Sequence, residues 1–567
     1  MKQESNLEVV ILASNGSTGI LQDLGIRQEV MNYFELFRAS AGKEIKGDGD
    51  FFTNLEFFIE NMGRPDLKNK AFQAKKNYDF KFLNGIILKS FLDRKGFRVK
   101  LINNLEFEKE SLSACLKEEP LAVLISTTFL PTRLSVERVV SQVRSIYPET
   151  IIIAGGPHIY YSYKIFKEYK RKEHEDILGQ TFFFQSRDFM SRPPMSPDIF
   201  IIDKQGLKTL EVVLGALKAN SSIQTIPNLA FYDQTGRLNM TRRIPEDHTP
   251  FDHKPDWENL ETEYIGPRMS VQGSVGCPWN CKFCNFHLFF DKFRAKSIEA
   301  VRQELKQLSR RSEVKHIRFT DDNLFFNPKS VEAFCSMMVE EDFPFTWSSM
   351  MRADSITPKT AELFRKAKAT ELLFGMESGD KAVLENMNKR IDPKQYLTAI
   401  KLLNENEIST ESNLFFGFPG ETVDSVKRTT EMLQNIGNSG STVNWFSPFV
   451  FIIFPFTPID FEREKYNLKG LFTEWEHQTM KSSEAFRIFA DILFKIDNLT
   501  VSDRYISTDY QILPRSEVWK YSKHRAKLNN VIFRIKESGN NDVGLFRERD
   551  FEIKQLQEIY LQYLDHC

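Results

Sequence analysis

Cysteine is scarce in this chain: 567 residues carry six thiols, unevenly placed. So few thiols exclude a disulfide framework and suit a reducing compartment. Charge of one sign is lacking too. The 76 Lys and Arg against 77 Asp and Glu leave a formal net charge of -1 without a block of like charge, and with no basic stripe nothing advertises nucleic acid. Long hydrophobic runs are missing. The longest, Trp445 to Ile459, is broken by Pro448, Pro455 and Pro458 and is too short for a spanning helix. The opening MKQESNLEVVILAS lacks the basic region, apolar core and small-residue cleavage site of a secretory signal. Internal repeats and low-complexity tracts are also absent. Together these absences lead to the expectation of a soluble, cytoplasmic protein.

What is present is enough apolar residue, 41%, and enough length for two or three cores. From Val9 to about Asp203, short aliphatic runs at 9–14, 97–102, 121–127, 150–156 and 198–203 alternate with helical stretches. Val136, Val139, Val140 and Val143 recur at helical spacing. Near-continuous apolar strands between amphipathic helices predict a parallel sheet covered on both faces. Residues 15–80 interrupt it with a long insertion expected to be helical. Residues 221–267 read as a hairpin around Gly236 and a proline-bearing linker. The alternation then resumes, with strands expected at 268–275, 314–320, 344–350, 371–376, 410–416 and 443–454. The expected fold class is α/β: an N-terminal doubly wound parallel sheet over 1–220, the linker, a partial (β/α)6 barrel over 268–465 and a helical C-terminal region over 466–567. Function in such sheets lies at the carboxyl ends of the strands.

Three of the six thiols, Cys277, Cys281 and Cys284, stand at x3 and x2 spacing within GSVGCPWNCKFCNFH. A loop following a strand can turn all three toward one centre. Zinc would take a fourth ligand, for which His287 is available; a metal-free loop is the plain alternative. A four-iron cluster is held by four thiolates, so three leave one iron open to a small molecule. Cys115, Cys335 and Cys567 read as structural or incidental.

The Cys277-x3-Cys281-x2-Cys284 motif, with Phe283 before its last cysteine and βα units downstream, resembles the radical S-adenosylmethionine (SAM) superfamily. The resemblance implies a [4Fe-4S] cluster whose open iron takes the amino and carboxylate groups of SAM. Reduction of that cluster then cleaves the sulfonium and releases a 5′-deoxyadenosyl radical. Motif by motif, it places Asp321 and Asp322 of HIRFTDDN near the methionyl amine, and Glu377 and Ser378 of LLFGMESG at the ribose or methionyl portion. It places Gly417 of NLFFGFPGET beside adenine. Each has a plainer reading, since Asp-Asp-Asn also starts helices and Gly-Phe-Pro-Gly also makes turns. Arg352 follows the third strand and is a candidate for holding a carboxylate bidentately, or for a surface salt bridge.

The front domain resembles the cobalamin-binding domain. The matching residues are Ser126, Thr127 and Thr128 after LAVLI and Gly155, Gly156 and Pro157 after TIIIA, small segments that in this family admit the cofactor's nucleotide tail. Where the family's Asp-x-His-x-x-Gly signature supplies a histidine beneath cobalt, the aligned residues are Asp79, Lys81 and Asn84. A protonated ammonium has no lone pair for a metal, so base-off cobalamin without a histidine ligand is expected. The alternative is a sheet that keeps the fold without the cofactor. His158 reads as a polar residue at a strand end.

Taken along the chain, the arrangement resembles the class B radical SAM methyltransferases, and the tail segment WEHQTMKSSEAF adds similarity to their P-methyltransferase and tryptophan-methyltransferase branches. This implies methylation of an unactivated carbon or phosphorus centre of a small molecule, with SAM, cobalamin and an electron donor such as flavodoxin or ferredoxin. A non-methylating rearrangement or cyclisation and a non-catalytic SAM- and cluster-binding protein are the rival readings. Methylthio transfer would require a second cysteine trio upstream, where only Cys115 lies.

Overall fold

A computed structural model describes residues 7–14, 66–78, 80–169, 181–183, 195–233, 235–324, 327–437, 442–501, 515–538 and 542–566. They fall into two compact units, 7–14 with 80–269 and 66–78 with the residues from 270 onward. Apart from a helix at Asp66–Tyr78, the expected insertion lies outside the described residues, as do Asp79 and Cys567.

In the first unit, β1 (Val9–Leu12), β2 (Val99–Ile102), β3 (Ala122–Ser126), β4 (Ile152–Gly155) and β5 (Ile199–Ile201) pair in parallel in the order β2-β1-β3-β4-β5. These strands are almost wholly apolar because helices cover both faces. Helices Lys109–Lys117 and Arg133–Ile146 pack together over the face bearing Val10, Leu12, Val123 and Ile125. Val136, Val139, Val140 and Val143 are all buried there, and Thr132 caps the helix by accepting the Ser135 N–H at 3.1 Å. Helix Leu83–Arg94 packs on β1 and β2, with helix Leu207–Lys218 beside it. The hairpin expected in a linker is instead β6 (Leu229–Tyr232) and β7 (Leu238–Met240), which continue this sheet antiparallel beyond β5. The 221–267 segment therefore belongs to the first unit: an apolar LAFY run can bury its face only against another strand. Strand order reverses at β1, which lies between β2 and β3, and this opens a crevice at the carboxyl ends.

The chain enters the second unit within β8 (Arg268–Val271), which is followed by the antiparallel pair β9 (Ser274–Val275) and β10 (Arg294–Ala295). Then come β11 (His316–Phe319), β12 (Thr346–Met351), β13 (Ala369–Glu377), β14 (Ser409–Phe416) and β15 (Asn444–Val450), joined by helices. The chain continues with β16 (Lys469–Leu471), β17 (Glu474–His477), β18 (Met480–Lys481) and β19 (Thr500–Val501). The main sheet runs β8-β11-β12-β13-β14-β15-β19, with β8 and β19 at its edges, so six βα units make a partial barrel. The expected strand 268–275 is split at Gln272 and Gly273, because the Gly273 N–H bonds to Asp321 and not to the ladder. On the helix-covered face Phe319, Phe334, Trp347 and Phe364 meet edge to face, with centroids 5.2–5.9 Å apart.

The C-terminal part is helical, Ser482–Lys495 packing on β14 and β15 and Arg515–Glu537 packing on Val543–His566. Ahead of these helices β16, β17 and β18 form a small antiparallel sheet, in a stretch expected to be helical. Three short strands carry too little periodicity to declare themselves. Among the described residues no helix is long and apolar enough to cross a membrane.

Candidate functional site

The three cysteines lie on the loop that leaves β9, Cys281 buried and the other two half-buried. The loop is tied at both ends. Asp321, just past β11, accepts the Gly273 N–H at 3.0 Å and the Ser274 hydroxyl, and Asp322 accepts the Gly276 N–H at 2.9 Å. Further along, the Lys282 N–H donates to the Met387 carbonyl at 2.9 Å, and the Asn388 amide donates to the Asn280 carbonyl at 2.7 Å. Asp321 and Asp322 are thus engaged in shaping the cysteine loop. Neither caps a helix: the next one starts at Pro328, capped by Asn327. Burial lifts the Asp321 carboxyl to about 7 against the pull of its two donors, and lifts Asp322 to about 6.

Burial also raises all three thiols, Cys284 up to about 12, with Cys281 and Cys277 adding repulsion. The three thiols share one short loop, and thiolates there would call for a cation. Among the described residues no three His, Cys, Asp or Glu side chains gather about one point in the way a single ion needs. His287 directs Nε2 at the Phe456 carbonyl, 3.2 Å away. Phe283 packs edge to face on Phe415 at the end of β14, centroids 4.9 Å apart.

At the end of β13, Glu377 sits at φ +61° after a break in register, a left-handed conformation that a non-glycine residue adopts at a cost. Its carboxylate is held by Lys389 at 2.7 Å, both side chains buried. Burial works against the Lys389 charge, but Glu377, with Tyr396 and Cys281, outweighs it and keeps the ammonium above its ordinary range. Lys389 also lies over the Phe283 ring at 5.8 Å. Arg352 is buried; it grips Asp354 through Nε and Nη2, donates to the Lys389 carbonyl at 3.1 Å and stacks on Trp279 at 4.2 Å. Its carboxylate partner is therefore in its own chain. Ser378 uses its hydroxyl on the Asp380 N–H and Thr429. Nothing in the sequence pattern singled out Lys389; the NMNKR run reads as an ordinary charged helix end.

The glycine-rich segment after β14 is a turn with Gly417 at φ +99° and Gly420 at φ +96°, and Thr422 caps the helix that follows. Glu421 is buried: its Oε2 accepts the Gly417 N–H, while Oε1 has no partner. Burial pushes this carboxyl up to about 8.

In the first unit the ends of β1, β3 and β4 meet at the switch point. Asn84 donates to the Ala13 carbonyl at 3.1 Å and to the Ser126 hydroxyl at 2.8 Å, and Ser126 lies 3.3 Å from the Thr128 hydroxyl. Thr127 donates to the Gly155 carbonyl at 2.9 Å. Gly156, at φ +105°, approaches Thr127 so closely that a Cβ would lie 3.0 Å from its hydroxyl; Pro157 starts the next helix. The network leaves Asn84 Oδ1 buried without a partner. Lys81 packs its stem along Gly266. His158 is buried against Phe182, and burial lowers its imidazole to about 4. Cys115 and Cys335 are buried core residues with raised thiols.

Residues 271–433 match the family model described as the radical SAM superfamily. The chain is 30% identical over 243 residues to an uncharacterised methyltransferase of Pyrococcus horikoshii, covering 42% of this chain and 52% of that protein. It is 23% identical over 363 residues to the anaerobic magnesium-protoporphyrin IX monomethyl ester cyclase of Cereibacter sphaeroides, covering 62% and 54%. The chain thus spans about half the length of these two curated relatives. Among solved structures, the cobalamin-dependent S-adenosylmethionine radical enzyme OxsB aligns with 99% of this chain and 80% of its own at a TM-score of 0.56 and 13% identity. The radical S-adenosylmethionine methyltransferase TsrM from Kitasatospora setae aligns with 97% and 99% at a TM-score of 0.51 and 14% identity. Residues 271–433, which carry the thiol loop and most of the sheet behind it, thus match the radical SAM superfamily, and along nearly its whole length the chain shares the fold of OxsB and TsrM.

Proposed function

We propose that this chain is a cobalamin-dependent radical SAM methyltransferase acting on an unactivated carbon or phosphorus centre of a small molecule. The observation that carries the reading is that the loop bearing three thiols packs, through Phe283, on Phe415 at the end of β14 and under Lys389, the partner of Glu377 at the strained end of β13. Cys277, Cys281 and Cys284 would hold three irons of a [4Fe-4S] cluster, which when reduced supplies the electron that cleaves SAM. The donor set fits: three thiols that burial keeps protonated in isolation are stabilised as thiolates by a cationic cluster.

The chain's own residues orient and insulate. Asp321 and Asp322 fix the loop, Phe283 and Phe415 exclude water beside it, and the Glu377–Lys389 pair sets a neutral, rigid wall. Glu377, Ser378 and the Gly417 backbone would line the SAM site, with Asp322 the more exposed of the two aspartates. In the first unit Ser126, Thr127, Thr128, Gly155, Gly156 and Pro157 would receive cobalamin, which supplies the methyl group. The unpartnered Asn84 Oδ1 fits a ligand rich in amide donors. Lys81, standing at the histidine's place, has no lone pair to offer a metal when protonated, so cobalamin would bind here without a histidine ligand from that position, in the base-off form. The reductant would be flavodoxin or ferredoxin, and the catalytic groups on the substrate side are unassigned.

The methyltransferase descriptions of the Pyrococcus protein and of TsrM favour methylation. A second reading, radical cyclisation without methyl transfer, is favoured by the magnesium-protoporphyrin ester cyclases of three organisms among the relatives. The deciding experiment is anaerobic reconstitution with iron, sulfide and cobalamin, followed by mass analysis of products from methyl-labelled SAM. Label in the product supports methylation; an unlabelled, rearranged product supports the cyclase reading. SAM binding without 5′-deoxyadenosine after reduction indicates a non-catalytic protein.

A further inference from the structure

We propose that the small β16–β18 sheet is a clamp that sets the adenine side of the SAM site, with His477 as its positioning residue. The proposal rests on the reading that the Gly417 turn faces SAM, and it gives the WEHQT segment a role in cofactor affinity. The sheet meets the turn at three points. His477 Nε2 lies 2.9 Å from the Gly417 carbonyl. Thr479 Oγ1 accepts the Gly420 N–H at 3.0 Å. The Trp475 ring fills the space over Gly417, where a Cβ would come within 2.3 Å of it.

The histidine's state follows from its partners. Nδ1 accepts the Thr479 N–H at 3.3 Å, so Nε2 carries the proton and donates to Gly417. His477 is buried and stacks on Trp475, centroids 5.1 Å apart at 8°, and Trp475 is fixed in turn by its own N–H on the Phe451 carbonyl at 2.8 Å. From Trp475 the aromatic contacts run through Phe451 and Phe415 to Phe283 beside the cysteines, at centroid distances of 5.7, 5.9 and 4.9 Å. A turn with two left-handed glycines has little stiffness of its own. The course of its backbone, beside which a purine would lie, is set from outside by His477 and Thr479 and from inside by Glu421.

The test uses the reconstituted full-length protein and measures dissociation constants for SAM, 5′-deoxyadenosine and methionine. His477→Ala is expected to weaken SAM and 5′-deoxyadenosine alike, on the order of tenfold for one lost hydrogen bond to a binding loop. Methionine affinity and the cluster spectrum should be unchanged. His477→Gln, whose amide reaches the position of Nε2, should restore most of the affinity. Thr479 is exposed, so Thr479→Val loosens Gly420 without disturbing the core and should move the same two constants in the same direction. Equal weakening of methionine, or loss of the cluster in His477→Ala with Thr479→Val silent, would reduce His477 to a folding residue and overturn the clamp. So would unaltered SAM affinity in both variants. Failure of the wild type itself to bind SAM would instead remove the reading on which the clamp stands.

Discussion

The buried pair between Lys389 and Glu377 makes a strong quantitative demand. The charges are 2.7 Å apart and the side chains 9% and 11% exposed. At an effective dielectric constant of about 20 their attraction is roughly 6 kcal/mol, most of it offset by the several kcal/mol that desolvating each ion costs. The pair as a whole is therefore worth little net, whereas half of it is a liability. Lys389→Met keeps the stem's volume and strands the carboxylate, which should cost roughly 3–5 kcal/mol. Adding Glu377→Gln should recover at least about 2 kcal/mol of that loss. A chain of two units does not melt as one transition, so the measurement is amide hydrogen exchange at neutral pH over the peptides of β13 and residues 381–391. Lys389→Met should speed exchange there on the order of a hundred- to several-thousandfold, with the double variant slower than the single one. Unchanged exchange in Lys389→Met, or a double variant worse than either single, would refute the reasoning.

Other perturbations separate the parts of the site. Cys281→Ala should abolish iron-sulfur absorbance while leaving reconstituted cobalamin bound, since the two sets of residues lie in different units. Asp321→Asn tests linkage: burial raises the folded carboxyl to about 7 from an ordinary 3.8, so the folded state holds the proton more tightly. Its contribution to stability is greatest at low pH and is lost as pH rises to about 7, by about 2–3 kcal/mol between pH 5 and pH 7. Asparagine can accept from Gly273 and donate to the Ser274 hydroxyl, so the variant's protection from hydrogen exchange around residues 270–276, relative to wild type at the same pH, should climb from pH 5 to pH 7 and then level off. Gly417→Ala forces a Cβ into the Trp475 ring at a left-handed φ and should lower local stability by roughly 1–3 kcal/mol, read as faster hydrogen exchange in β14 and the turn after it.

Much of this architecture was legible from local pattern. Each expected strand appears, because alternation of apolar runs with 3.6-residue periodicity is written in neighbouring residues. The Val136–Val143 stripe is buried as its spacing required. The thiol spacing named the chemistry because a motif of eight consecutive positions needs no fold to be recognised. Pairings across long separations were not legible. Nothing near Asp321 says that its donors lie 47 and 48 residues earlier. Nothing near His477 says that its acceptor is 60 residues back. The LAFY hairpin looked like a linker because sequence does not reveal which sheet edge stands open to receive it.

The sequence by itself determined the element types, the α/β class and the set of thiols, since each depends on side-chain character at close spacing. Tertiary structure alone decided the β2-β1-β3-β4-β5 order with its antiparallel extension, the binding of the cysteine loop by Asp321 and Asp322, the pairing of Lys389 with Glu377, and the seating of β16–β18 on the glycine turn. These depend on which distant groups are brought together when water is excluded. A buried charge or hydrogen-bonding group must then find a partner wherever the fold supplies one.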